Sequence, residues 1–130
     1  MKIIHLTDTH LVAPPQTLLG LDGRQRLADA VASINAEHAD AELCMVTGDL
    51  THWAEAGAYA ALVDILGGLS IPWHLLIGNH DTRETARVAL PDLPWSPDGF
   101  LHYSINTSAG RFVVLDSVDA DKAGGRLCEV

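Results

Sequence analysis

Three short apolar runs recur along the chain, at residues 3–6, 43–46 and 73–77. None of them alternates with polar residues, which is typical of strands that are covered on both faces in a parallel sheet. His5 and His74 lie inside two of these runs, so we expect both to be core histidines. The pattern therefore predicts three buried strands.

Two helices are predicted between these strands, because apolar residues recur at spacings of three and four. The first helix face consists of Leu27, Ala30, Val31 and Ile34, and the second of Tyr59, Leu62, Val63 and Leu66. Right-handed crossovers would make the three strands parallel, with their carboxyl ends at one edge of the sheet. A short third helix is predicted at residues 82–90, and residues 100–105 and 111–116 flank a glycine-containing turn that is typical of a hairpin.

Length and composition indicate one globular domain over residues 1–130, since hydrophobic residues make up 48% and charged residues 19%. No apolar stretch approaches the roughly 20 residues that span a bilayer. Asp8 interrupts the first apolar run without a cleavage signal, so we expect a cytoplasmic protein with no membrane partner. Cys44 and Cys128 lack CxxC spacing and are predicted to be reduced thiols, with Cys44 in the core.

The chain is acidic, with 17 Asp and Glu against 8 Lys and Arg and a formal net charge of −9. This balance repels phosphate backbones and disfavours nonspecific binding of nucleic acid. Bound cations can reverse the local field in a site, so an acidic protein can still act on phosphoesters.

A polar cluster follows each apolar run: TDTH after the first, TGDLTH after the second and GNHD after the third. Ligands of open α/β sheets bind beyond the carboxyl ends of the strands. Asp8 and His10 are two residues apart, so in an extended segment they would face one side and hold one cation. Asp49 could bridge two cations. For each residue taken alone, a turn, cap or core role is the alternative.

The third cluster contains Asn79, His80 and Asp81 after Gly78. Adjacent residues of an extended segment face opposite sides, so we expect only one of Asn79 and His80 to bind the ion. Asn79 offers a neutral oxygen for a hard cation, and His80 would then face the substrate. Asp81 would orient His80 or cap the following helix.

The motifs DxH, GD and GNHD, in this order, resemble those of the calcineurin-like metallophosphoesterases. The resemblance implies an α/β sandwich of mixed sheets flanked by helices. It also implies that Asp8 and His10 bind a first metal, Asp49 bridges, Asn79 binds a second metal, and His80 assists the reacting phosphate. Residues 18–35 look like the branch that includes cyclic nucleotide and glycerophosphodiester phosphodiesterases.

The leading hypothesis is therefore hydrolysis of small phosphoesters, above all phosphodiesters. Two divalent or trivalent ions (Mn, Fe, Zn or Co) would lower the pKa of a bridging water towards about 7, and the resulting hydroxide would attack phosphorus. The alternatives are a non-catalytic protein-interaction scaffold of the same fold, a phosphomonoesterase and a pyrophosphohydrolase. The oligomeric state is left open, including a homo-oligomer.

The later GH and GHxH segments of the family pattern are absent. We expect the chain to correspond to about the N-terminal half of a family domain, as a fragment of a longer enzyme. Completion by another chain and a reduced protein are the alternatives. Of the remaining histidines, His52 would touch substrate or lie in a surface loop, His102 would lie in a strand, and His38 would be solvated.

Overall fold

The computed structural model describes residues 1–120 and 122–127, so Cys128 lies outside the described residues. The elements in chain order are β1 (Ile3–Thr7), α1 (Gly23–Glu37), β2 (Leu43–Thr47), α2 (Ala56–Leu66), β3 (Trp73–Leu75), α3 (Arg83–Ala89), β4 (Tyr103–Thr107) and β5 (Gly110–Val114). The predicted α/β class is confirmed, with mixed parallel and antiparallel sheets and helices.

The first three strands form a parallel sheet in the order β1, β2, β3. Because each crossover moves one strand along in the same direction, right-handed connections place α1 and α2 on the same face. Cys44 and Val46 of β2 belong to the core on that face, together with Leu75 of β3. The carboxyl ends of all three strands meet at one edge, as the sequence pattern predicts.

The buried faces of the two helices differ in part from the prediction. Leu27, Val31 and Ile34 of α1 are buried, whereas Ala30 is half-buried. In α2 the buried residues are Ala58, Tyr59, Leu62 and Leu66. Val63, predicted to lie on this face, is 37% exposed. Ala58 is fully buried in its place. The helix α2 therefore presents its Ala58 side to the core and leaves Val63 at the edge of the solvent-exposed face.

The other face of the sheet is covered in part by the β4–β5 hairpin. Val114 packs against Leu43 and Met45 of β2, and the Tyr103 hydroxyl donates to the Leu75 carbonyl at 2.6 Å. On this face of β1, Ile3 is half-buried against the same cluster and His5 is exposed, so the prediction that His5 is a core residue is wrong. Strands covered on both faces were predicted, and this holds for β2 and not for β1.

His74 and His102 also differ from their predicted surroundings. His74 is half-buried, and burial lowers its pKa. His102 precedes β4 instead of lying within it, and its Nδ1 accepts the backbone N–H of Asp116 at 3.0 Å. His38, expected to be solvated, is also half-buried.

An ion pair ties α3 to the segment after β5. Arg83 donates from Nε and Nη2 to the two carboxylate oxygens of Asp116, each at 2.7 Å. Burial alone would raise the pKa of Asp116. The hydrogen bonds from Arg83, with those from the backbone N–H groups of Leu101 and Val118, outweigh burial and hold this pKa below its usual value.

Candidate metal centre

The segments that leave β1 and β2 continue side by side beyond the sheet. The backbone N–H of Asp8 donates to the Thr47 carbonyl at 3.0 Å, and that of His10 donates to the Asp49 carbonyl at 2.9 Å. These bonds carry the pairing of the two strands on into the loops. They bring the DxH and GD motifs next to each other.

Asp8, His10 and Asp49 place their donor atoms within 4.8 Å of one another. His10 Nε2 lies 3.5 Å from Asp49 Oδ2. Asp49 is buried, and Asp8 is exposed. Within the described part of the chain, neither carboxylate forms an ion pair with Lys or Arg. Two carboxylates and an imidazole without a protein cation form a donor set that fits a metal ion.

The backbone that holds Asp8 and His10 is not extended. Their φ angles are 54° and 44°, both in the left-handed region. The two side chains do lie close together, as expected. The expected reason, an extended backbone, is wrong. A non-glycine residue in this region costs on the order of 1–3 kcal/mol, and such strain is concentrated at functional sites.

Two glycines allow the loops to approach the carboxylates. Gly48 has φ +82°, and a Cβ atom on it would lie 2.9 Å from Asp8 Oδ1. A Cβ atom on Gly78 would overlap Asp49 Oδ1 and the Asp49 backbone. The glycine of the GNHD motif is therefore required by the close packing of the third loop on Asp49.

His80 joins the third loop to this group. Its backbone N–H donates to Asp49 Oδ1 at 2.9 Å, and its Nδ1 lies 2.9 Å from the His52 carbonyl oxygen. Because a carbonyl can only accept, Nδ1 carries the proton. The His80 ring centroid lies 4.9 Å from that of His10.

Asn79 lies in the turn after β3 and is exposed. The strand ends at Leu75, so the expectation that residues 79 and 80 alternate as in an extended segment is wrong. Asn79 lines a cavity of about 410 Å³ together with Arg83 and Glu84. Its side chain takes no part in the hydrogen bonds found among the described residues, and its role as a ligand stays a prediction.

Asp81 is buried and accepts five hydrogen bonds. The donors are the backbone N–H groups of Leu50, Thr51 and Gly78 and the hydroxyls of Thr51 and Tyr59, at 2.8–3.1 Å. Burial, and then the charge of Asp81, raise the pKa of the Tyr59 hydroxyl, which keeps it protonated as a donor.

The two contacts expected of Asp81 are made by other groups. The Thr82 side chain caps α3, accepting from the Thr85 N–H at 3.3 Å, and the His52 carbonyl holds His80. Asp81 instead ties the loops after β2 and β3 to α2. It contributes to the site by holding the loops that carry Asp49 and His80.

His52 is the residue that sequence reasoning left undecided. Its Nδ1 lies 3.2 Å from His10 Nδ1, and its ring stacks on His80 with centroids 4.7 Å apart and planes at 27°. Burial, followed by the proximity of His80 and His10, lowers the pKa of His52. It lies in the same loop as Asp49, but nothing in the sequence indicates that its ring contacts His10 and His80.

A cavity of about 350 Å³ opens beside Asp8 and His10. Leucines and Ala30 make up much of its lining, and Arg26 contributes one positive charge. Leu19 sits at this cavity with φ +51° and is 94% exposed. The hydrophobic pattern does not predict this turn, because leucines at residues 18, 19 and 21 have no regular spacing.

The profile of the family described as calcineurin-like phosphoesterase matches residues 1–125. The chain belongs to this family. Among its relatives, a probable cyclic nucleotide phosphodiesterase of Rhodopseudomonas palustris is 44% identical over 99% of this chain and 48% of its own length. The predicted resemblance, including its phosphodiesterase branch, is confirmed.

Two further relatives are more distant. A glycerophosphodiester phosphodiesterase of Enterobacter lignolyticus is 30% identical over 99% of this chain and 48% of its own length. A 3',5'-cyclic adenosine monophosphate phosphodiesterase of Vibrio vulnificus is 28% identical over 99% of this chain and 46% of its own length. The chain spans about half the length of the curated relatives it matches.

Across residues 1–120 and 122–127, no helix combines the length and apolarity needed to cross a bilayer.

Proposed function

We propose that the protein hydrolyses small phosphodiesters, such as cyclic nucleotides or glycerophosphodiesters, with cations held at the carboxyl edge of its parallel sheet. The observation that carries this proposal is the convergence of Asp8, His10 and Asp49, whose donor atoms lie within 4.8 Å of one another. Family membership and the names of the relatives support the same reaction class.

The donor set supports a site for two divalent or trivalent ions. Carboxylate oxygens and imidazole nitrogens without thiolates suit Mn, Fe, Co or Zn. Asp8 and His10 would hold the first ion, Asp49 would bridge, and Asn79 would add a neutral oxygen to the second. The ions supply positive charge for the phosphoryl oxygens and acidify a water for attack on phosphorus. With only Asp49 and Asn79 from this chain, the second ion should bind more weakly.

His80 would act on the leaving group. Its Nδ1–H donates a hydrogen bond to the His52 carbonyl, so Nε2 is the ring nitrogen that remains available to the substrate. When Nε2 is also protonated, it can pass that proton to the leaving alkoxide as the ester P–O bond breaks. The hydrogen bond from the His80 backbone to Asp49 holds the ring beside the donor group.

Asp81 would serve catalysis by position alone. Its bonds to Leu50 and Gly78 join the loop of Asp49 to the loop of His80. These two loops carry a bridging ligand and the general acid, so their separation sets the distance between the ions and the leaving group. A catalytic constellation needs such rigid support to stay in productive geometry.

The cavity beside Asp8 and His10 supports a substrate with an ester group of modest size. Its volume of about 350 Å³ falls in the range of about 300–1,000 Å³ that is usual for small-molecule sites. We propose a small phosphoester and not a nucleic acid as the partner, because the net charge of −9 opposes binding of phosphate backbones. A cytoplasmic location and a homo-oligomeric state stay predictions.

The test is hydrolysis of bis(p-nitrophenyl) phosphate by protein made from the complete open reading frame. We expect a chelator to abolish turnover and added Mn²⁺ or Zn²⁺ to restore it. Asp49→Ala should abolish turnover, whereas Asp92→Ala, in an exposed loop, should leave it unchanged. Turnover that survives both the chelator and Asp49→Ala would contradict the proposal, and a protein that binds metal without turnover would favour a scaffold.

A further inference from the structure

His52 contacts both histidines of the candidate site, one through its side chain and one through its backbone. Its Nδ1 lies 3.2 Å from His10 Nδ1. Its carbonyl oxygen lies 2.9 Å from His80 Nδ1. The family resemblance assigned no role to this position, and the contacts come from the structure alone.

The protonation of His10 decides what the first contact means. A neutral imidazole has one N–H and one lone pair. Nε2 of His10 is the nitrogen near the carboxylates, 3.5 Å from Asp49 Oδ2. For Nε2 to offer its lone pair to a cation, the proton must be on Nδ1. A proton there needs an acceptor, and His52 Nδ1 is within hydrogen-bond reach.

We propose that His52 is a positioning residue that accepts the Nδ1 hydrogen of His10 and so keeps the Nε2 lone pair of His10 directed at Asp8 and Asp49. Histidines that bind metals almost always donate their second ring N–H to a partner that fixes the tautomer and the ring orientation. Here another imidazole takes that place, with its own proton on Nε2. The inference rests on the proposed function for the role of His10 as a ligand.

The backbone contact extends the same control to His80. The His52 carbonyl fixes the proton of His80 on Nδ1, and the stacked rings hold the two side chains together. One residue thus sets the tautomer of the ligand and of the general acid. Substitution of the His52 side chain removes its ring contacts with His10 and His80 but leaves the hydrogen bond from His80 Nδ1 to the carbonyl in place.

A different use of the same cluster is a site formed by three histidines. The donor atoms of His10, His52 and His80 lie within 4.8 Å of one another. However, neutral His10 has a single ring-nitrogen lone pair. It therefore cannot bind a metal together with His52 and His80 and, at the same time, a metal held by Asp8 and Asp49. In the carboxylate set His52 accepts a hydrogen bond, and in the histidine set it would bind the metal.

The first experiment needs neither a variant nor a metal. Two-bond ¹H–¹⁵N correlation spectra of the 130-residue chain at pH 8 report which ring nitrogen of each histidine is protonated. We expect the proton of His10 on Nδ1 and that of His52 on Nε2. A proton on Nε2 of His10 would overturn the inference, whether or not the chain proves to be a phosphodiesterase.

The second experiment compares His52→Leu with His52→Asn by calorimetric titration with Co²⁺. Leucine removes the acceptor, and we expect binding to weaken by about 10–100-fold, the usual effect of losing such a partner. The asparagine Oδ1 can occupy the place of Nδ1 as an acceptor, so we expect affinity within about threefold of the unmodified chain. His5→Leu, outside the cluster, is the control.

Each result of the titration leads to a separate conclusion. Equal affinity of the leucine variant and the unmodified chain would overturn the inference. Equal loss in both variants would also overturn it, because the acceptor retained in the asparagine variant would then make no difference. Circular dichroism checks that each variant is folded. If the unmodified chain binds no Co²⁺, the proposed metal site fails, and the tautomer measurement alone then decides the inference.

Discussion

Asp49 and Asp81 are both buried carboxylates in the loops beyond the parallel sheet, but their surroundings differ. Asp81 accepts five hydrogen bonds from protein donors. Asp49 accepts one backbone N–H, from His80, and lies beside Asp8 and His10. A carboxylate whose oxygens are all satisfied by the protein holds the fold together. One that keeps oxygens free beside a second carboxylate is suited to a cation.

The largest effect should come from Asp81→Ala. It leaves the N–H groups of Leu50 and Gly78 and the hydroxyl of Tyr59 without their acceptor in a buried place. We expect the free energy of unfolding, measured with urea, to fall by about 3–5 kcal/mol, as when one partner of a buried charged network is removed. Asp92→Ala is the exposed control. A loss of stability below about 1 kcal/mol would contradict the claim that Asp81 holds the fold together.

Asp49→Asn should show the opposite profile. The amide oxygen can still accept from His80, so we expect the free energy of unfolding to change by less than about 1 kcal/mol. The negative charge is lost, and calorimetric affinity for Mn²⁺ should fall by at least about 100-fold, beyond the range for an outer-shell partner. Unchanged Mn²⁺ affinity would show that this carboxylate is not a ligand.

Asp116 adds a third kind of buried carboxylate, one paired with Arg83. Its pKa is lowered in the folded state, so its contribution to stability is present above the unfolded value of about 3.8 and is lost as the pH falls through the lower folded value. We expect Asp116→Asn to lose less stability than the unmodified chain between pH 5 and pH 2.5, measured by urea unfolding. Asp98→Asn, in an exposed loop, should lose as much stability between pH 5 and pH 2.5 as the unmodified chain. Equal pH dependence in all three proteins would contradict the assignment.

The sequence predicted the parallel strands, the helices and the meeting of the DxH and GD motifs, because these depend on apolar periodicity and on strand direction. It did not predict that β1 is open on one face or that Val63 is exposed, since both depend on how far a neighbouring element reaches. The left-handed backbone at Asp8 and His10 also escaped it. Both residues donate their backbone N–H groups to the adjacent loop, whose residues lie far away in sequence.

The site residues divide in the same way. A sequence motif identifies Asp8, His10 and Asp49, because the residue type alone shows that each side chain can bind a metal. The structural use of Asp81 depends on donors from residues 50 to 78, and the contacts of His52 depend on the side-chain directions of two other loops. Neither can be inferred from spacing along the chain.

The bonds of Asp81 have one more consequence. They connect the loops through groups that lie outside the donor set of Asp8, His10 and Asp49, so we expect folding to assemble the proposed ion site. Association should then order few additional torsions, at a small entropy cost. Removal of the ion by a chelator should accordingly leave the loop framework intact, unlike small zinc domains whose fold is lost with their metal.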